Sequence, residues 1–362
     1  MSEGERSDGS GTPDDVRGDV GRAIPTEETY VHGGAPGLGP RTTQTTPTRV
    51  GEGRWGGRRE GAAERAMVPR ERPSSYYGRP VIKPPVWTWE IPVYFFTGGL
   101  AGASATLAFA AELAGNRKLA RRSWLISLSS IAISPVLLTS DLGKPSRFIN
   151  MLRVFKVTSP MSVGSWLLLL AGTAIAPAAS YSLLGRPRVV GPGAQAAAGL
   201  LGLPVTTYTA VLISNTSVPI WSEARWELPL GFAGSAAASA GAAALLATPP
   251  RHAGPARRLA IGGALVESAT SEAMERRLGA LGEPYSAGTT GVLTRAAKGL
   301  TVAGSILLAA GARRSRRVAV AGAVALLAGS VCERWAIFSA GFASAKDPKY
   351  TVGPQRERAA AA

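Results

Sequence analysis

Residues 91–111 read IPVYFFTGGLAGASATLAFAA, without a single charge, in a chain of 362 residues that carries 40 Lys+Arg and 24 Asp+Glu. A hydrocarbon core of about 30 Å takes about 20 apolar residues of helix. This stretch therefore reads as a membrane-crossing helix, and the pattern recurs. Ser123–Ser140 lies between Arg122 and Asp141. Residues 157–185 are uncharged and hold a third span, about Val163–Leu184; residues 189–222 hold a fourth, about Gly193–Ser214. Leu228–Ala247 is the fifth. Three more segments are less apolar: Leu259–Met274 meets Glu267 and Glu272, Gly299–Ala312 follows Arg295 and Lys298, and Val318–Ala345 contains Glu333 and Arg334. The expected fold is an all-α integral membrane protein of about eight transmembrane helices, packed as two four-helix bundles and preceded by a disordered tail. The expected divisions are a tail over 1–85, a transmembrane domain over 86–350 and a C-terminal tail over 351–362.

The tail differs in material from the rest. Residues 1–85 are rich in Gly, Pro, Thr, Arg and Glu and hold almost no apolar run. Such a segment buries too little apolar surface to offset its ordering entropy. Met1 is followed by Ser-Glu-Gly-Glu, without the basic start and apolar segment of a secretory signal.

Charge is placed unevenly. Residues 1–85 hold 13 basic against 12 acidic residues, leaving 27 against 12 in the hydrophobic part. There the basic residues cluster between apolar runs, at Arg117, Lys118, Arg121 and Arg122, at Arg251, Arg257 and Arg258, and at Arg313, Arg314, Arg316 and Arg317. Loops after spans one, three, five and seven carry 13 basic residues, whereas the other face holds Glu90, Asp141, Glu223 and Glu227. The positive-inside rule then places the N-terminus outside; an 85-residue tail without a signal points the other way. No aromatic-basic pattern suited to bases accompanies the clusters, which argues against a nucleic-acid partner. One cysteine, Cys332, allows no disulfide within the chain. His32 and His252 lie outside the apolar runs, so paired-histidine haem ligation is excluded.

Small residues fill the spans. Gly98 and Gly102 form a G-x-x-x-G pair, and Gly231, Ser235 and Ser239 repeat the spacing, as close helix packing requires. Pro135, Pro177 and Pro204 fall inside spans and predict kinks or breaks.

The densest polar stretch is Thr139–Trp166, TSDLGKPSRFINMLRVFKVTSPMSVGSW. It sets Asp141, Lys144, Arg147, Asn150, Arg153 and Lys156 among Phe148, Met151, Leu152 and Phe155. The period suggests a short amphipathic helix at the membrane interface, serving as a partner-docking surface or a headgroup site; a solvated connecting loop is the plainer reading. Glu267 and Glu272 form a candidate proton path, or an interfacial turn paired with Arg276 or Arg277. Glu333–Arg334 reads as a structural pair.

DLGKPSRF with the following NMLRVFKVTSPMSVGSW resembles the NrfD/polysulfide-reductase membrane subunit family. So do WEIPVYFFTGGLAGAS at 89–104, TYTAVLISNTSVPIW at 207–221 and ERWAIFSAGFASAKDP at 333–348. The resemblance covers about residues 86–355. It implies a multi-pass subunit of the plasma or inner membrane, with no covalently bound or metal-ligated cofactor of its own. Such a subunit exchanges electrons between menaquinone or ubiquinone and a ferredoxin-like Fe–S subunit. That subunit in turn serves a molybdopterin-type catalytic subunit, of the formate dehydrogenase or polysulfide reductase type. Tyr208 matches the family residue type that donates to a quinone carbonyl, and is equally a tyrosine bonded within the bundle. Asp141, Glu90 and Trp89 complete the candidate quinone site. Some family members have His or Asn where this chain has Glu90, and no histidine lies nearby. A secondary transporter would suit the mid-span prolines and buried acids, although the halves show no repeat. A membrane anchor without a quinone site is the third reading.

Overall fold

The computed structural model describes residues 80–311 and 315–361. The tail expected over 1–85 lies outside the described residues up to position 79, and residues 80–88 run without regular structure into the first helix. Ten α-helices follow among the described residues: α1 (Glu90–Leu113), α2 (Arg117–Asp141), α3 (Pro160–Leu184), α4 (Gly191–Ser214), α5 (Pro219–Glu223), α6 (Glu227–Ala247), α7 (Gly254–Leu278), α8 (Gly288–Ile306), α9 (Arg316–Lys346) and α10 (Lys349–Ala361). A π turn over Leu307–Gly311 extends α8, and a 3-10 helix over Pro145–Leu152 joins α2 to α3.

Seven of these are long and apolar enough to cross a membrane: α1, α2, α3, α4, α6, α8 with its π turn, and α9. The remaining expected span, α7, the sixth in chain order, has the length at 25 residues but carries charge at Arg257, Arg258, Glu267, Glu272, Glu275, Arg276 and Arg277. It packs along α6 all the same. Contacts also cross between the two expected sets of four, where α1 and α4 pack on α6 and α1 meets α9. The largest apolar cluster runs from Ile91 on α1 to Ala345 on α9.

Local chemistry sets the helix limits. Asn116 Oδ1 caps α2 by accepting from Leu119 N at 3.3 Å. Ser159 caps α3 just ahead of Pro160, and Gly185 ends α3 with a left-handed φ of 71°. The helices run on through Pro135, Pro177 and Pro204.

Side chains bind the helix ends at two levels. At the basic end, Asn116 Nδ2 donates to His252 O at 2.9 Å, Arg121 reaches the carbonyls of Ser182 and Leu183, and Arg316 reaches those of Leu245 and Leu246. At the other end, Thr88 bonds to Asp141, Arg277 pairs with Glu227, and Arg358 pairs with Glu223. Lys349 reaches Glu283 at 2.9 Å. The starts of α1, α3, α6 and α8 therefore lie with the ends of α2, α4, α7 and α9, at the acidic end.

Between the ends, helices meet through small residues. A Cβ on Gly102 would lie 2.6 Å from Gly202 O on α4, and Thr106 Oγ1 donates across the same contact to Gly199 O at 2.8 Å. Ser235 and Ser330 hydroxyls meet at 2.8 Å between α6 and α9. Outward positions keep large apolar side chains exposed, among them Ile133, Val136, Leu169, Leu170 and Leu200, as a lipid-facing surface requires.

Gly102→Val is expected to cost about 1–3 kcal/mol through overpacking and to lower the melting temperature in detergent. Gly193→Val, where nothing lies within 4 Å, leaves it nearly unchanged. A second expectation concerns α10. Lys349 and Tyr350 hold the exposed Glu283 carboxylate below its ordinary range, and Glu283 holds Lys349 above its own. A depressed carboxylate adds stability that is lost as pH falls through its folded value; a raised ammonium adds stability that is lost as pH rises through its folded value. The tie is thus whole between about pH 5 and about pH 10. Protection of α10 amides, corrected for intrinsic exchange, should hold level near neutrality and fall below about pH 4. Lys349→Ala should remove that step.

Candidate functional site

At the acidic end, the segment before α1 turns its polar atoms onto the end of α2. Thr88 N donates to Asp141 Oδ1 at 3.1 Å and Thr88 Oγ1 at 2.8 Å, and the same hydroxyl bonds to Glu90. A hydroxyl has one proton to donate and lone pairs to accept with. Thr88 can therefore serve one carboxylate while accepting from the other when that one carries a proton. Glu90 and Asp141 are both buried, at 7 % and 6 % exposure. The structure thus brings two of the expected site residues together, through a threonine that sequence pattern did not single out.

One turn deeper lies an aromatic layer. Tyr94 follows Glu90 by one helical turn, and its ring meets that of Tyr208 edge-on at 6.4 Å. Phe95 meets Phe232 at 5.8 Å behind it. The Tyr208 ring lies against Gly164 of α3, where a Cβ would fall 2.5 Å from Cε2. Glycine is required there because the ring fills the space. The Tyr208 hydroxyl is buried and has no hydrogen-bond partner among the described residues. Trp166 Nε1, whose ring meets Phe155 at 6.2 Å, is in the same condition. A donor buried without an acceptor is unfavourable by about 1–3 kcal/mol.

The tryptophans divide. Trp89 is 61 % exposed, whereas Trp87 stacks on Trp221 at 5.9 Å, and Trp221 Nε1 donates to Ile337 O at 2.9 Å. Trp87 is therefore the indole built into the fold. In the α2–α3 connection the expected amphipathic helix is the short 3-10 helix, with an irregular stretch after it. Arg147, Asn150, Arg153 and Lys156 are exposed there and Lys144 is half-buried. Ile149, Val154, Phe155 and Val157 are exposed among them.

The two carboxylates of the candidate proton path part company. Glu272 forms an i,i+4 ion pair with Arg276 at 2.9 Å and is exposed. Glu267 is buried, accepts from Thr301 Oγ1 at 3.4 Å, and faces Glu333 and Arg334 of α9. Both glutamates nevertheless line one cavity between α6, α7, α8 and α9.

Residues 80–253 match the family model described as polysulphide reductase, NrfD. Over that span, 174 of its 362 residues, the chain resembles the NrfD family. No curated protein matches it. The NrfD match takes in α1 to α6, so it includes Thr88, Glu90, Asp141, Gly164 and Tyr208. It ends before α7, and the resemblance read at 333–348 lies beyond it. Likeness to the NrfD family points to a membrane anchor subunit of a respiratory oxidoreductase.

Gly164→Ala tests how tightly the aromatic layer is set. The added methyl should displace the Tyr208 ring and change the tyrosine near-ultraviolet signal while the helical far-ultraviolet spectrum stays intact. Gly172→Ala, with only Ile131 Cγ1 at 3.8 Å, should do neither.

Proposed function

We propose that this NrfD-like chain binds a membrane quinone beside Tyr208 and exchanges its electrons with a ferredoxin-like iron–sulfur subunit of a molybdopterin-type oxidoreductase. The observation that carries the reading is the Tyr208 hydroxyl, a buried donor with no hydrogen-bond partner among the described residues, in an aromatic layer with Tyr94, which lies one turn from Glu90. A bound menaquinone or ubiquinone supplies two-electron, two-proton chemistry. Tyr208 would donate to one carbonyl, and the Tyr94 and Phe95 side offers apolar contact to the ring. Glu90 and Asp141, joined by Thr88, would hold and pass a proton at the acidic end; Trp89 stands at the rim.

The remaining assignments follow from that placement. Lys144, Arg147, Asn150, Arg153 and Lys156 would form the docking face for the iron–sulfur partner, since they lie next to Asp141 in the chain and four of the five are exposed. Glu267 and Glu272 would belong to a proton path. The chain would cross the plasma or inner membrane eight times, α7 included, in two four-helix sets.

In an intact complex, Tyr208→Phe removes one hydrogen bond of about 1 kcal/mol. It should raise the apparent quinone KM about fivefold, and Asp141→Asn should lower quinone-linked turnover. Unchanged kinetics in both would sink the site. Mild-detergent purification with metal analysis tests the partners: iron with molybdenum or tungsten should come with the chain, and a metal-free chain isolated alone would favour transport instead.

A further inference from the structure

The cavity between α6, α7, α8 and α9 has a volume of about 210 Å³, room for about seven waters at ~30 Å³ each. Leu228, Phe232, Met274, Val302 and Ile337 supply apolar wall, and Glu267 and Glu333 lie deep within it. Glu267 is 11 residues from the acidic-end terminus of α7, and Glu333 is 13 from that of α9. At 1.5 Å per residue they sit about 16–20 Å in, near the middle of a 30 Å core.

The outer charges along the cavity are paired among themselves. Glu227 bonds to Arg277, Glu272 lies 2.9 Å from Arg276, and Glu275 lies 2.5 Å from Lys298. The inner ones are not balanced. Glu267 and Glu333 lie within reach of one another and of Ser235, and they share a single cation, Arg334. Arg334 is itself buried, stands 3.7 Å over the Phe232 ring, donates to Phe232 O at 3.1 Å, and places Nη1 3.9 Å from Glu333 Oε2. Two carboxyl groups against one guanidinium leave the cluster one positive charge short when both are ionised, a state that burial strongly disfavours. Two further polar atoms on the cavity wall lack a hydrogen-bond partner among the described residues: Glu333 Oε2 and Tyr285 Oη, in residues 8 % and 5 % exposed.

Beyond this cluster, towards the basic end, the helices close. A Cβ on Gly241 of α6 would fall 2.5 Å from Ala256 O of α7, and one on Gly304 of α8 would fall 2.8 Å from Gly322 O of α9. Backbones in such contact leave no passage between α6 and α7 or between α8 and α9.

We propose that this cavity is a dead-end, water-filled proton inlet, which connects the acidic end of the protein to the Glu267–Glu333–Arg334 cluster and stops there. The cation it takes is a proton, because Arg334 already sets a fixed positive charge beside both carboxyl groups. The proposal deepens the proton-path part of the function above: it adds Glu333 and Arg334 and fixes the end from which they are reached. Its test uses no quinone, so its failure and that of the Tyr208 site are separable.

Cys332 is the chain's one cysteine, and Cys332→Ser provides a clean background. Thr301→Cys, deep in the cavity, and Lys298→Cys, near its mouth, are reconstituted in oriented vesicles and treated with an impermeant cationic methanethiosulfonate. Thr301→Cys should react from the acidic end, within about tenfold of the Lys298→Cys rate, and stay inert from the basic end. Inertness from both ends while Lys298→Cys reacts, or reaction from the basic end, overturns the proposal. The unaltered chain gives a second reading. A carbodiimide, which attacks protonated carboxyls, should label Glu267 or Glu333, and labelling should fall as pH rises on the acidic-end side alone. Control of labelling by pH on the basic-end side overturns the proposal as well.

Discussion

Where Gly102 meets Gly202, two helix backbones touch with no side chain between them, and much of the molecule is arranged around contacts of that kind. In hydrocarbon no hydrophobic force draws helices together, so attraction comes from van der Waals contact and from hydrogen bonds made across the seam. Thr106 and Ser127 add such bonds by donating to the carbonyls of Gly199 and Ala101. With α1 and α4 this close, Tyr94 and Tyr208 are carried into one layer. Gly164 then lets α3 close over the Tyr208 ring.

The same economy of side chains governs where polarity is allowed. Among the described residues, helix ends exchange charged and polar bonds at both levels, while interior hydroxyls such as Thr106, Ser127 and Ser235 bond across helix contacts. Other buried hydroxyls, among them Ser104, Ser123, Thr209 and Ser239, have no hydrogen-bond partner there. The phenol of Tyr208 is set apart by its place in an aromatic layer, and the Glu267–Glu333 pair by its charge beside Arg334; buried charge is expensive and is often functional.

The helical membrane fold was legible because an uncharged run of twenty residues has few other uses. Five strong spans stand as helices close to the expected limits. The sixth span was harder to judge, since α7 carries its charges on a helix that packs along α6, and hydropathy counts a charge without knowing its partner. The Tyr208 and Asp141 placements were open to reading through motif resemblance, and Glu90 joined them through its position at the start of α1. Thr88 was not legible, because a lone threonine before a helix looks like any loop residue until the fold brings Asp141 to it from 53 positions away. Glu333 was read as one half of a local pair with Arg334. Its second neighbour, Glu267, lies on another helix, and pairing between distant helices leaves no trace in spacing along one of them.

Arg121 and Arg316 each grip two successive carbonyls of a neighbouring helix at the basic end. A guanidinium with two anchor points resists sliding along the helix axis as well as separation. Its charge also forbids it from being drawn into the lipid. At the acidic end, ion pairs that face water, such as Lys349–Glu283 and Arg358–Glu223, are individually weak, and they stand beside the buried Thr88–Asp141 bonds. The basic end is thereby fixed in axial register, whereas the outermost ties of the acidic end are ones that water can exchange.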